Sequence, residues 1–268
     1  MRIIPEAGRP AQEVRPAYFL RAFGRPVEEM RIVSFGRCNF NCPYCKRDGQ
    51  CLDSAGNIIT SAEFPEGEVF AALEDAVQKG QRIRLSGGDP CMHLKDSIRI
   101  AEWVKERDQK ISIAHNGSSP KFVEQMLPNL EYAAIDLKAA SPEEFNLRAG
   151  LKNGQGKKML ENSLLVQTIL ANAGIILDVR TCVFSTTTID DFFRIAELIV
   201  KTGNPARKFW TVRTYKPVAG IDWRPLPQET VAEWCQIISA SFPELPIGLR
   251  AKWEPSGGFQ IWKAGKEI

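Results

Sequence analysis

Cys38-Asn39-Phe40-Asn41-Cys42-Pro43-Tyr44-Cys45 sets three thiols at C-x3-C-x2-C spacing. Iron-sulfur electron carriers surround a cubane cluster with four cysteines, and a tetrahedral structural zinc site also takes four ligands. No fourth cysteine completes either pattern here. Three thiols can hold three corners of a cubane and leave its fourth iron open, and an open iron is a place for chemistry. Alone, the spacing also fits a partial zinc knuckle or unpaired buried thiols, so the decision rests on the motifs downstream of Cys45.

From Arg31 onward, short β-branched runs alternate with amphipathic helical stretches, the pattern of parallel βα units. The expected strands run from Arg31 to Gly36, Arg82 to Ser86, Lys110 to Ala114, Tyr132 to Leu137, Ile175 to Val183 and Lys208 to Tyr215. Between them, Val69, Leu73 and Ala76 recur at helical spacing, as do Leu94, Ile98 and Ala101, and Ile189, Phe192, Ala196 and Ile199. Gly80, Gly174 and Gly203 each precede a strand, where a left-handed residue ends a helix. Residues 1–30 read as an N-terminal arm, 31–217 as the repeating body and 218–268 as an extension packing on it. In that extension Val231, Trp234, Cys235 and Ile238 share a helix face, and Ile247 to Trp253 reads as a strand. Periodicity leaves a barrel and a flat doubly wound sheet both open; either binds its ligands at the C-terminal ends of the strands.

Every remaining motif falls at such an end. Ser86-Gly87-Gly88-Asp89-Pro90 closes the second strand, with two glycines that permit close backbone approach to a ligand. His115-Asn116-Gly117 closes the third, and His115 and His93 are the chain's two histidines, a residue type more often structural than ligating. Asp136-Leu137-Lys138 closes the fourth, with Asp136 and Lys138 on one side of the strand. A carboxylate and an ammonium buried side by side are paired or bound to something charged. On the fifth strand Asp178, Arg180 and Cys182 share a face, which turns Cys182 inward as a buried thiol unless the chemistry of the site uses it as a hydrogen donor. Thr214-Tyr215-Lys216-Pro217 closes the sixth.

Together these motifs resemble the radical S-adenosylmethionine (SAM) superfamily over residues 31–217. The likeness is greatest to its compact activating-protein branch, the activating proteins of anaerobic ribonucleotide reductase and other glycyl-radical enzymes. The resemblance implies an α/β fold, a partial (β/α)6 TIM-like barrel of the radical SAM type. It implies a [4Fe-4S] cluster on Cys38, Cys42 and Cys45 whose open iron is chelated by SAM. An electron from the cluster then cleaves SAM to methionine and a 5′-deoxyadenosyl radical that takes a hydrogen atom from the substrate. By the same resemblance Tyr44 lies against the cluster and adenine, and Ser86, Gly87, Gly88 and Asp89 hold the amino group of SAM. Asn116 is implied near its ribose or methionine moiety, Asp136 and Lys138 contact it, Arg180 faces its carboxylate, and Tyr215 flanks the adenine. Two positions depart from the pattern: relatives read Gly-Gly-Glu-Pro where Asp89 stands, and Thr-Asn-Gly where His115 stands.

The expected substrate is a glycine of a partner glycyl-radical enzyme. The alternatives are a small molecule, nucleobase or peptide, as in the carboxy-deazaguanine synthases, or a non-catalytic iron-sulfur or zinc module. Against the activase stands the lack of an Asp-Gly-Pro-Gly stretch before the cysteines; the nearest segment is Ala22-Phe23-Gly24-Arg25-Pro26. The family implies a flavodoxin or ferredoxin as electron donor.

Composition sets the remaining bounds. A chain of 268 residues, 44% hydrophobic, suits one large core better than two. A net charge of +3 with both signs interspersed carries no clear nucleic-acid signature. Seven cysteines, an odd count with three clustered, do not read as a disulfide framework, and a reducing cytoplasm is expected. No apolar run reaches the roughly 18 residues of a membrane span. Cys51 and Cys91 are too separated for a second cluster, so one is expected, and Cys235 is read as core.

Overall fold

The computed structural model describes residues 30–45, 65–152, 154–218, 220–250 and 260–268, together with the backbone of 51–52, 58–59 and 259. Residues 1–29, with the Ala22–Pro26 segment, and Trp253 lie outside this set, as does the side chain of Cys51.

The strands are β1 (Met30–Phe35), β2 (Cys51–Leu52), β3 (Ile58–Ile59), β4 (Arg82–Gly87), β5 (Ile111–His115), β6 (Leu130–Asp136), β7 (Ile176–Val183), β8 (Lys208–Thr214), β9 (Ile247–Arg250), β10 (Phe259–Lys263) and β11 (Lys266–Glu267). The helices are α1 (Glu66–Gln78), α2 (Leu94–Lys105), α3 (Pro120–Met126), α4 (Pro142–Ala149), α5 (Gln155–Asn172), α6 (Ile189–Lys201) and α7 (Gln228–Ser241). Strands β2 and β3 form a separate antiparallel ribbon. All others join one sheet in the order β1-β4-β5-β6-β7-β8-β9-β10-β11.

From β1 to β9 every neighbouring pair is parallel, because a helix carries the chain back between strands. Sequential order with no pairing of β1 to the far end gives an open, partial barrel among the described residues. Its first six parallel strands are those expected from the periodicity, shifted by two residues or fewer at most ends. The extension contributes a seventh, β9, and then β10 reverses direction on it.

Alternation along each strand divides its side chains between two environments. Ile83, Leu85, Ile113, Ala133, Ile135, Leu177, Val179, Trp210 and Val212 face the helices and form the main core. The alternate residues turn to the concave side, where Tyr132, Ala134, Ile176 and Phe209 make a small apolar floor.

The helices bury the stripes their spacing implied: Val69, Leu73 and Ala76 on α1, and Phe192, Ile195, Ala196 and Ile199 on α6. Thr188 and Asp191 form a reciprocal capping box at the start of α6. Beyond its other end Lys208 is wholly buried, donating to the carbonyls of Ile199 and Gly203 and to Thr202 Oγ1. Cys235 is a core residue of α7, as expected.

Candidate active site

The cysteine loop leaves β1 at the C-terminal end of the sheet and is clasped from two sides. On one, Gly88 N donates to Phe35 O at 2.5 Å and Asp89 N to Arg37 O at 2.6 Å. On the other, Asn41 N donates to Ala149 O at 3.0 Å, and Phe40 packs edge-on against Phe145. A Cβ on Gly88 would fall into the Arg37 carbonyl, and one on Gly150 into that of Asn41. Gly87, at φ 104°, likewise lies against Phe35 and Ser34. These glycines admit the protein's own loop, whereas the motif alone suggested a ligand.

Cys38 and Cys45 are exposed residues and Cys42 is half-buried. Cys38 Sγ accepts from Phe40 N at 3.4 Å and from Asn116 Nδ2 at 3.6 Å. Desolvation by these neighbours, with Asp89 nearby, pushes its thiol up to about 11, and desolvation raises Cys42 as well. A metal centre would have to supply the positive charge that makes them thiolates.

Among the described residues, the group of metal-type ligands whose atoms lie within 4.8 Å of one another is Asp89, Cys91 and His115. Asp89 and His115 spend those atoms on each other. The three loop thiols are one ligand short of a closed structural zinc site and suit a cluster that keeps one iron open.

Beside the loop, Asp89 is buried and both its oxygens are committed. Oδ1 lies 2.8 Å from His115 Nδ1 and accepts from Cys91 N at 3.0 Å, while Oδ2 accepts from Asn116 N at 2.8 Å. Burial opposes its ionisation, yet His115 and the two backbone donors outweigh burial and hold the carboxyl below its ordinary range. The amino group of SAM was expected on this carboxylate, whose contacts here are all internal; Ser86, also buried, lies just upstream on β4.

Across the concave face the strand ends carry charge. Lys138 Nζ donates to Asp136 Oδ2 at 2.7 Å. Burial disfavours the Asp136 carboxylate, but Lys138 and Arg213 overcome it and bring the carboxyl down to about 2. Arg148 holds this strand end, donating to Lys138 O at 3.1 Å and pairing with Glu144. The Leu147-Arg148-Ala149-Gly150 stretch thus ties both the cysteine loop and the Asp-Leu-Lys segment. Cys182 is half-buried, its thiol pushed up to about 11 by desolvation despite Arg213 and Lys138.

One layer deeper, Asp178 Oδ2 accepts from Arg180 Nε at 2.6 Å and Tyr132 Oη at 2.7 Å, and its Oδ1 from Thr211 Oγ1 at 2.5 Å. Arg180 Nη2 also reaches Tyr132 Oη at 3.3 Å. Expected against the SAM carboxylate, Arg180 spends these contacts on a buried network. Arg84 stacks over the Tyr132 ring at 5.6 Å, and its Nη1 is a buried donor with no partner among the described residues. Burial, then repulsion from Arg180, lowers both Arg84 and Arg213 to about 10.

Tyr44 belongs to an aromatic group with Phe184, Tyr215 and Trp223 of the extension, at centroid distances of 5.0 Å to Phe184 and 5.8 Å to Trp223. Tyr215 is buried in this group, and its hydroxyl accepts from Val218 N at 3.0 Å. Ser185 N donates to Arg224 O at 2.8 Å, pinning the segment that carries Trp223.

Arg84, Tyr132, Thr211 and Arg213 were not singled out from the sequence. Their signal was the alternation that marked Asp178 and Arg180: in Arg82-Ile83-Arg84-Leu85 and Thr211-Val212-Arg213-Thr214, polar residues occupy every second place in strands whose other face is core.

Residues 32–199 match the radical SAM superfamily. The chain is 26% identical over 174 residues to the 7-carboxy-7-deazaguanine synthase of Methanothermobacter thermautotrophicus, covering 63% of this chain and 67% of that one. It is 29% identical over 115 residues to a putative glycyl-radical enzyme activating enzyme of Methanocaldococcus jannaschii, covering 42% of this chain and 45% of that one. Among solved structures, SuiB of Streptococcus suis aligns over 88% of this chain and 52% of its own, with a TM-score of 0.62 at 11% identity, a likeness of fold. No helix among the described residues is long and apolar enough to cross a membrane.

Proposed function

The chain belongs to the radical SAM superfamily, and on that premise we propose that it abstracts hydrogen from a small molecule bearing an acidic group. It is an enzyme of a superfamily whose cofactors are a [4Fe-4S] cluster and SAM. When bound, these supply an electron that breaks a carbon-sulfur bond of SAM and a 5′-deoxyadenosyl radical that takes the hydrogen atom.

Cys38, Cys42 and Cys45 are the residues to hold the cluster, on a loop whose position the Gly88 and Gly150 contacts leave little freedom to change. Asp136 and Lys138 are presented toward the amino and carboxylate groups of SAM. Tyr44, Phe184 and Trp223 cover the adenine side and keep water from the radical. A flavodoxin or ferredoxin delivers the electron beside the exposed Cys45, in a reducing cytoplasm where such thiols stay unpaired.

One observation carries the choice of substrate. Arg84, stacked over the Tyr132 ring at 5.6 Å on the concave face, carries a buried Nη1 donor with no partner among the described residues, and the Arg180 guanidinium stands near it. A buried guanidinium hydrogen left over in this way favours an anion, and its planar fork suits a carboxylate or phosphate. The product named for the deazaguanine synthase relative also carries a carboxylate.

The test is anaerobic turnover with SAM and candidate acids, reading 5′-deoxyadenosine by mass spectrometry. Stimulation by an acid and its loss with the methyl ester support the reading. The second reading, activation of a glycyl-radical enzyme, draws on the likeness to the activating enzyme. A persistent radical formed on a partner protein, seen by electron paramagnetic resonance, would establish it instead.

A further inference from the structure

The two departures from the family pattern touch each other. His115 Nε2 accepts from Ser119 N at 3.2 Å, so the ring's proton sits on Nδ1 and is donated to Asp89 Oδ1. Asp89 in turn holds the backbone N–H of Asn116 with its other oxygen. Both residues are almost completely buried, at 1% and 2% exposure, and every contact in this chain of bonds is internal.

The Asn116 carboxamide is oriented just as firmly. Its Oδ1 accepts from Ser118 N at 3.0 Å, and its Nδ2 donates to Asn39 Oδ1 at 2.7 Å. Asn39 is itself fixed, donating through Nδ2 to Ser118 Oγ at 2.8 Å. Turning the Asn116 amide over would set its NH2 against the Ser118 N–H and its oxygen against that of Asn39. In the orientation that remains, the second hydrogen on Nδ2 faces Cys38 Sγ at 3.6 Å.

We infer that Asn116 is a hydrogen-bond donor to the Cys38 sulfur that raises the reduction potential of the cluster, and that Asp89 and His115 are positioning residues holding it there. The inference rests on Cys38 being a cluster ligand. A donor to a cluster sulfur stabilises the more negative, reduced state. His115 thereby engages the shorter acid: the Asp89 carboxylate, lacking one methylene of glutamate, is held at the end of β5 by His115 and Asn116 N.

The experiment is a redox titration of the anaerobically reconstituted protein without SAM, monitored by electron paramagnetic resonance, with iron and sulfide counts. Asn116→Leu should keep full iron and be harder to reduce. The potential moves by the difference between what the bond is worth to the reduced and to the oxidised cluster, so the reduced fraction at a fixed potential should fall several-fold, by at most about tenfold or about 59 mV for one electron. Asn116→Asp, which replaces the donor by an anion, should shift further in the same direction. His115→Leu should give part of the shift, and His115→Asn, which keeps a donor near the Nδ1 position, should restore it.

An unchanged potential in Asn116→Leu at full iron content overturns the inference. So does weakened SAM binding at unchanged potential, which would place Asn116 against SAM. If Asn116→Leu loads no iron, Asn116→Asp decides by the same criteria. Undiminished iron in Cys38→Ala would remove the cluster assignment itself, a failure separable from that of the donor.

Discussion

The two walls of the strand-end cavity are built on opposite principles. Along β4 and β5 the wall is closed on itself: Asp89, His115 and Asn116 exchange hydrogen bonds with one another and with the cysteine loop. Along β6, β7 and β8 the wall presents charge, with Asp136, Lys138, Cys182 and Arg213 turned to the cavity. A polar group committed on every side serves the scaffold, whereas Asp136 gives one oxygen to Lys138 and keeps part of its side chain exposed. The first wall therefore braces the cysteine loop, and the second carries the more accessible charge.

The largest effect should come from the loop that the closed wall supports. Cys42→Ala should leave no SAM cleavage and no stable cluster absorbance after anaerobic reconstitution. An active cluster in that variant would dissolve the distinction between the walls at its root.

Next in size is the floor beneath the charged wall. Removing Asp178 strands Arg180 beside Arg84 and Arg213, and breaking a buried pair from one side typically costs about 3 to 5 kcal/mol. Denaturant unfolding of Asp178→Ala should show a loss of that order. A loss under about 1 kcal/mol would mean that the network is solvated rather than sealed.

Asp136→Ala should weaken SAM binding by about tenfold to a hundredfold, the worth of a charge-assisted contact, with iron content unchanged. Equal effects on iron and on SAM affinity would show that the charged wall also supports the loop.

The smallest effect is a pH dependence. The folded Asp136 carboxyl ionises near 2, below its ordinary value of about 3.9, so its contribution is complete above about pH 5 and is lost as the pH falls toward 2. Allowing for the partial exposure of the group, this amounts to about 2 kcal/mol. Asp136→Asn should flatten the stability profile between pH 5 and 2, lowering stability at pH 8 by about that amount and bringing the variant close to the parent near pH 2.

The strands were legible because each needs only a local signal, a β-branched run bounded by glycine or a turn. The glycine-ended helices were legible for the same reason: Gly80, Gly174 and Gly203 have φ of 71°, 70° and 100°. Spacing on one loop was likewise enough to group Cys38, Cys42 and Cys45. What stayed hidden was the choice among partners. Asp89 and Asp136 are both acids at strand ends, and no local pattern says that one turns to a histidine 26 positions away while the other turns to Lys138. Alternation gave Arg180 its inward direction and the family resemblance gave it a ligand, but Tyr132 Oη, which it also reaches, lies 48 positions distant. Direction is a property of the strand; pairing is a property of the assembled barrel.

The reversal of β10 on β9 also decides what the sheet does at its far edge. A parallel strand left open there would offer a row of backbone donors and acceptors to any other chain. Instead β10 is succeeded by a two-residue β11 whose Lys266 and Glu267 are both exposed. So short and charged a border gives a foreign strand almost no ladder to extend, and edge-to-edge aggregation is discouraged on this side of the molecule.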